Sequence, residues 1–249
     1  MQPPKSSKQI DAMRVGGKIL AGILKDLREK TVPGVNELEL DEWVEQEIIK
    51  RGAVVTYKTP EVNFPASICI SVNSGIVHGI PRDNVLQKGD VVKFDLDITY
   101  DDMVVDSAFT MVVGEEPTGA KKHLLDTTER AMWAGIDVAG PVHVGDISAA
   151  VEKVLNDGKL GIVRELVGHG VGNSYHMAPE VPNYGRAGTG GLLAVGDTIC
   201  IEPMAMLGNE AVKLGDDGWL YETKDGSLAA HFEHTVLITE NGCEILTLA

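Results

Sequence analysis

A chain of 249 residues with 43% hydrophobic content can bury one large core, and a formal charge of −15 excludes the clustered Lys and Arg of a nucleic-acid footprint. No apolar run approaches the roughly 20 residues that span a bilayer, and the opening segment Met1 to Lys8 lacks the apolar stretch of a signal peptide. A cytoplasmic protein without membrane or nucleic-acid partners is therefore expected. The three cysteines, Cys69, Cys200 and Cys243, are odd in number and lack CxxC spacing, which points to reduced thiols rather than disulfides or a cysteine-based metal site.

The first helical pattern runs from Ser7 to about Arg28, with Ile10, Met13, Ile19, Leu20, Ile23, Leu24 and Leu27 near helical spacing and Ser6 or Ser7 as the cap. Residues 1–8 are expected to be flexible. After a break at Thr31-Val32-Pro33-Gly34, a second helix is predicted from Glu37 to Arg51, burying Leu38, Leu40, Val44, Ile48 and Ile49 and stopped by Gly52. Strand-like stretches follow at Ile68 to Val72, Val91 to Ile98 and Met103 to Val112.

From about Lys121 the same order begins again, with a helix through Thr127 to Val138, a break at Gly140-Pro141 and a helix from Ile147 to Leu155. The segment Leu86 to Asp95 (LQKGDVVKFD) matches Leu193 to Glu202 (LAVGDTICIE), each reading Leu, Gly-Asp and then a carboxylate at the same offsets. An α+β domain over 1–249 is expected, made of two pseudo-symmetric helix-helix-strand-strand halves at about 9–115 and 121–245. The halves would share one curved antiparallel sheet covered by helices, with a site fed by both in the groove between them.

Asp95 and Asp106 lie among strand formers on adjacent stretches, and a turn between Tyr100 and Asp101 places them opposite one another. Like charges facing each other on a half-buried hairpin need compensation, for which a hard cation serves. Asp97 shares the strand face of Asp95, but the internal match sets Asp95 beside Glu202 and Asp97 beside Met204, which selects Asp95. Gly168-His169-Gly170-Val171-Gly172 is expected to turn tightly and hold His169 exposed and positioned, with His176 seven residues on; the spacing is not that of an HExxH helix. Glu202 and Glu233 each sit in an apolar strand-like setting, where an unpaired charge costs several kcal/mol. Four carboxylates and an imidazole suit two divalent ions. His231, two before Glu233, is expected beside the ligands, and His123 and His143 at the surface or at helix borders.

These segments resemble the type I methionine aminopeptidases over nearly the whole chain. The likeness is carried by Asn73-Ser74-Gly75-Ile76-Val77-His78-Gly79-Ile80-Pro81, by Asp95 and Asp106 eleven apart, by Gly168 through His176, by Ile201-Glu202-Pro203-Met204 and by Phe232-Glu233-His234-Thr235. The resemblance implies the pita-bread fold. It also implies removal of N-terminal methionine from nascent chains with a small second residue, through attack of a metal-bridging hydroxide on the first peptide bond.

By the same resemblance Asp95 chelates the first ion, Asp106 and Glu233 bridge both, and His169 with Glu202 complete the second. The ions are drawn from Co, Mn, Fe and Zn. His176 stabilises the oxyanion, His78 contacts the scissile amide or departing amine, Glu202 carries a proton, and Phe64, Cys69, Tyr175 and Trp219 form the methionine pocket. A monomer with transient ribosome association is expected.

Two positions depart from the family pattern: Glu61 stands where bacterial relatives place an aromatic pocket residue, and Asp97 replaces a small or neutral residue. The competing readings are an Xaa-Pro aminopeptidase or prolidase on the same scaffold and a non-catalytic binding module that has lost its ligands.

Overall fold

A computed structural model describes residues 3–248. Of the segment expected to be flexible, residues 1–2 lie outside the described residues, while Ser7 and Lys8 already belong to helix α1 (Ser7–Lys30). That helix starts with a capping box: Ser6 Oγ accepts from the Gln9 backbone N–H, and the Gln9 side chain accepts from the Ser6 N–H at 2.9 Å. Helix α2 (Glu37–Lys50) is capped by Asn36, whose Oδ1 accepts from Leu38 N–H at 2.9 Å. Its buried apolar residues are Leu40, Val44 and Ile48, a narrow stripe at intervals of four. Leu38 and Ile49, expected inside, are 47% and 62% exposed, because they flank that stripe on the solvent side.

The first half continues with strands β1 (Val54–Val55), β2 (Cys69–Val72), β3 (Gly75–Val77), β4 (Val91–Tyr100) and β5 (Met103–Val112). The second half repeats the order with α3 (Gly119–Val138) and α4 (Val144–Asp157), then β6 (Gly161–Ile162), β7 (Gly168–Gly170), β8 (Met177–Val181), β9 (Thr198–Ile201) and β10 (Met204–Met206). It ends with β11 (Val212–Leu214), β12 (Tyr221–Thr223), β13 (Ala229–His231), β14 (Glu233–Thr239) and β15 (Gly242–Ile245). Helix α4 begins before the expected Ile147, because Asp146 reaches back to accept from His143 N–H at 2.9 Å and so closes a first turn.

The main antiparallel sheet runs β1-β4-β5-β14-β9-β7-β8, with β2 also on β4 and β15 also on β14. The two halves therefore join where β5 of the first pairs with β14 of the second. Their correspondence extends to single hydrogen bonds. Asp90 accepts from Gln87 N–H and Asp197 from Ala194 N–H, each at 2.8 Å, and Gly89 and Gly196 have φ of 91° and 95°. The helix caps bridge equivalent positions too, Asn36 to Val85 and His143 to Leu192. The pseudo-symmetric pita-bread architecture is thus written into matching turns and caps.

The β4–β5 register differs from expectation. Asp101 and Asp102 both take positive φ, 46° and 62°, and form the two-residue turn, so that Tyr100 pairs with Met103, Asp97 with Asp106, and Asp95 with Ala108. The expected Asp95–Asp106 pairing is two residues out. A turn centred on Tyr100 and Asp101 would have forced a bulky aromatic residue into the left-handed region, which aspartate tolerates better.

Helix α1 lays Met13, Leu20, Ile23 and Leu27 into the core, and Gly17 lets it close against the chain near its end, since a Cβ there would collide with the Leu246 carbonyl. Gly17→Ala is expected to destabilise the fold by about 1–3 kcal/mol, read as a lower urea midpoint at unchanged slope. An unchanged midpoint would show that the helix shifts freely at this contact.

Candidate functional site

The sheet order brings five strands side by side whose inner faces meet in one cavity. β4 supplies Asp95 and Asp97, β5 supplies Asp106, β14 supplies Glu233, the end of β9 supplies Glu202, and β7 supplies His169; all six residues line that cavity. Hydrogen bonds lock the frame around them. Thr235 Oγ1 accepts from Asp106 N–H at 3.0 Å and donates to Asp106 O at 2.8 Å, while Ser107 Oγ donates to Glu233 O at 2.8 Å. Tyr57 Oη donates to Asp95 Oδ1 at 2.7 Å, which fixes that carboxylate from the pocket side.

His169 is only 7% exposed, against the expectation of an exposed imidazole. Gly168 serves strand packing rather than a protruding turn: a Cβ there would collide with the Cys200 carbonyl of β9. The imidazole Nδ1 lies 3.0 Å from Gly170 O, an arrangement that puts the ring proton on Nδ1 and leaves a lone pair on Nε2. Nε2 sits 3.3 Å from Glu202 Oε1 and 3.8 Å from Asp106 Oδ2. His231, 1% exposed, stands behind this group with Nε2 at 3.7 Å from Glu202 Oε2 and 3.9 Å from Glu233 Oε2.

Electrostatically the site is unbalanced as a protein-only structure. Burial, followed by mutual repulsion, raises the carboxyls of Asp97, Asp106, Glu202 and Glu233 well above their ordinary range, and burial raises Asp95 to about 6. Burial also lowers His169 and His231 to about 3, so both rings are neutral. Asp106 Oδ1, Glu202 Oε1, Glu233 Oε1 and both His231 nitrogens are buried without a hydrogen-bond partner. Donor atoms of Asp106, His169, Cys200 and Glu233 lie within 4.8 Å of one another. Converging, desolvated, unpartnered donors of this kind fit divalent cations, which remove the repulsion and satisfy the orphaned oxygens.

On the other side of the cavity the walls are aromatic and sulfur-bearing. Tyr57, Val62, Phe64, Cys69, Tyr175 and Trp219 line it, with Phe64 and Trp219 edge to face at 5.1 Å and Tyr57 and Phe64 at 5.4 Å. His78 and His176 also line the cavity. The His176 ring lies 3.9 Å from that of His169 and stacks on Tyr175 at 4.2 Å. Desolvation lowers His176 and takes His78 down to about 4. Glu61 bonds to Ser174 Oγ outside this lining and is exposed.

The eleven residues given a metal, catalytic or pocket role from the sequence therefore all line one cavity. Sequence reasoning missed Tyr57 and Val62 in the lining and Cys200 beside the carboxylates, and set Asp97 aside. Cys200 was within reach, because it precedes Glu202 by two and so shares its strand face. Tyr57 was not, since its contact with Asp95 spans 38 positions and depends on a short 3-10 turn at Thr56–Lys58. Among the described residues no helix is long and apolar enough to cross a membrane.

Comparison with known proteins agrees with this geometry. The sequence profile of metallopeptidase family M24 matches residues 11–240. A methionine aminopeptidase of Mycoplasma capricolum is 41% identical over 98% of this chain and 97% of its own length. The crystal structure of a methionine aminopeptidase from Thermotoga maritima superposes with a TM-score of 0.96 at 35% identity, covering all of both chains. A prolidase from Pyrococcus furiosus, at 23% identity and TM-score 0.76 over 65% of its chain, shares the fold alone.

Because the cluster is destabilising without cations, adding Mn²⁺ or Co²⁺ to chelator-treated protein at about 100 times the dissociation constant is expected to stabilise it by about 2.7 kcal/mol per ion, several degrees in Tm. Superimposable melts with and without the ions would remove the cluster as a metal centre.

Proposed function

The chain belongs to metallopeptidase family M24, and on that premise we propose that it removes the N-terminal methionine from nascent proteins and peptides whose second residue is small. The observation that carries this reading is the adjoining of two environments in one cavity: a carboxylate-imidazole cluster, and an apolar recess of Phe64, Cys69, Tyr175 and Trp219 shaped by edge-to-face rings. A thioether suits such aromatic and sulfur surroundings. The full-length match to methionine aminopeptidases supports this branch over the Xaa-Pro one, and the presence of every expected polar side chain in the cavity speaks against an inert scaffold.

In this reading Asp95, Asp106, His169, Glu202 and Glu233 would hold two divalent ions from among Mn, Fe, Co and Zn. Bound there, the ions would acidify a water and polarise the carbonyl of the first peptide bond. The protein's own groups supply the rest. The negative end of the cavity receives the free amino terminus, which makes the enzyme an exopeptidase. His176 donates its ring N–H to the carbonyl oxygen as charge builds there, and its neutrality lets it do so without pairing to a carboxylate beforehand. His78 hydrogen-bonds the scissile amide or the departing amine, and Glu202 moves the proton from nucleophile to leaving group. The whole chain works as a single catalytic domain, because the cluster takes Asp95 and Asp106 from the first half and the other three from the second.

Chelator-treated protein reloaded with each ion in turn is expected to release Met from Met-Ala-Ser and to leave Leu-Pro peptides largely uncut; the opposite preference would overturn the assignment. Asp106→Ala should abolish detectable release. His176→Ala should lower kcat by roughly 10²–10³-fold with the ions still bound, as loss of an oxyanion donor does. A change confined to KM would instead assign His176 to ground-state binding.

A further inference from the structure

The set of five leaves one carboxylate of the cavity unused. Asp97 is 1% exposed and lines the same cavity, and its Oδ1 has no hydrogen-bond partner. On β4 it shares the face of Asp95, and on β5 its direct partner is Asp106. Two carboxylates opposed across a ladder repel, and this pair lies where water cannot screen it. No lysine or arginine relieves it among the described ion pairs; Lys93, the buried ammonium on the same strand, is turned to the carbonyls of Asn73 and Val91 at 2.9 and 3.2 Å. The position is also where the two halves differ, since the residue matching Asp97 in the second half is Met204, buried on β10.

Resting on the reading of the cluster as a two-ion centre, we infer that Asp97 is a sixth ligand, its Oδ1 reaching the ion shared by Asp95 and Asp106. The centre then has five carboxylates and one imidazole, with the oxygen donors concentrated on the first half's ion. An added hard oxygen donor favours an ion that takes six oxygen-rich ligands, as Mn²⁺ does, and contributes less to Zn²⁺, which is satisfied by four and prefers nitrogen or sulfur. Asp97 thus tunes which cation the protein retains, a property separate from the bond it cleaves.

The test uses full-length, chelator-treated protein and two variants, Asp97→Ala, which removes the donor, and Asp97→Asn, which keeps a neutral oxygen. Mn²⁺ binding is read by its electron paramagnetic resonance signal and by calorimetry, and Zn²⁺ binding by competition with a chromogenic chelator. Asp97→Ala is expected to weaken the tighter Mn²⁺ site at least tenfold while changing Zn²⁺ affinity threefold or less, with Asp97→Asn between wild type and Ala for Mn²⁺. Mn²⁺ affinity within twofold of wild type in both variants, or equal losses for Mn²⁺ and Zn²⁺, would overturn the inference. Should Asp97→Ala not show the wild-type circular dichroism spectrum, Asp97→Asn decides alone, a threefold or greater selective loss of Mn²⁺ supporting the role and its absence refuting it. A wild-type protein that binds neither ion would instead refute the two-ion reading itself.

Discussion

Repulsion among carboxylates held out of water organises this molecule. Asp95, Asp97, Asp106, Glu202 and Glu233 converge on one cavity from four strands, each almost fully desolvated and each raised in pKa by burial, with mutual repulsion adding to the rise in all but Asp95. Two unit charges 4 Å apart at an effective dielectric near 20 oppose each other by about 4 kcal/mol, so a group of five could not persist as bare anions. The fold tolerates the cluster because its backbone is pinned independently of it, by the reciprocal Thr235–Asp106 bonds, by Ser107 on the Glu233 carbonyl and by the hydrophobic core beneath the sheet. Cations then turn the stored repulsion into affinity.

Doubling of the architecture explains how such a site can be assembled at all. Each half carries the same turn, a positive-φ glycine followed by an aspartate that caps its own loop, and each turn launches a strand whose fifth residue after that aspartate is a carboxylate. Antiparallel pairing of β5 with β14 brings the two carboxylates to one centre. The halves then diverge in chemistry: the first adds oxygen from Asp97 and Asp106, while the second adds the imidazole of His169 and, behind it, His231. The aromatic recess likewise draws on both, with Phe64 from the first and Trp219 from the second.

The register of the β4–β5 hairpin shows how a sound physical argument can be attached to the wrong residue. Opposed carboxylates do need compensation, but the opposed pair is Asp97 and Asp106 rather than Asp95 and Asp106. The difference arises from where the chain can turn. Asp101 and Asp102 both accept the left-handed backbone that a two-residue hairpin needs, and that local preference shifts the ladder by two. The correction leaves Asp95 in the cavity, since strand alternation keeps 95 and 97 on one face, and gives Asp97 a reason to be there.

By itself the sequence determined the helix pairs and the duplication, through local periodicity and turn chemistry, and the five carboxylate and imidazole candidates of the cluster, through their setting in strand-like and glycine-rich segments; the other six side chains that meet in the cavity were implied by the resemblance to a family. It did not determine that His169 is buried beside a glycine that lets two strands close up, that Tyr57 reaches Asp95, or that Cys200 stands against the carboxylates. Those facts depend on distances between residues far apart in the chain. Hydrophobic pattern names the face on which a residue lies, but only the packed sheet sets which faces meet and how closely.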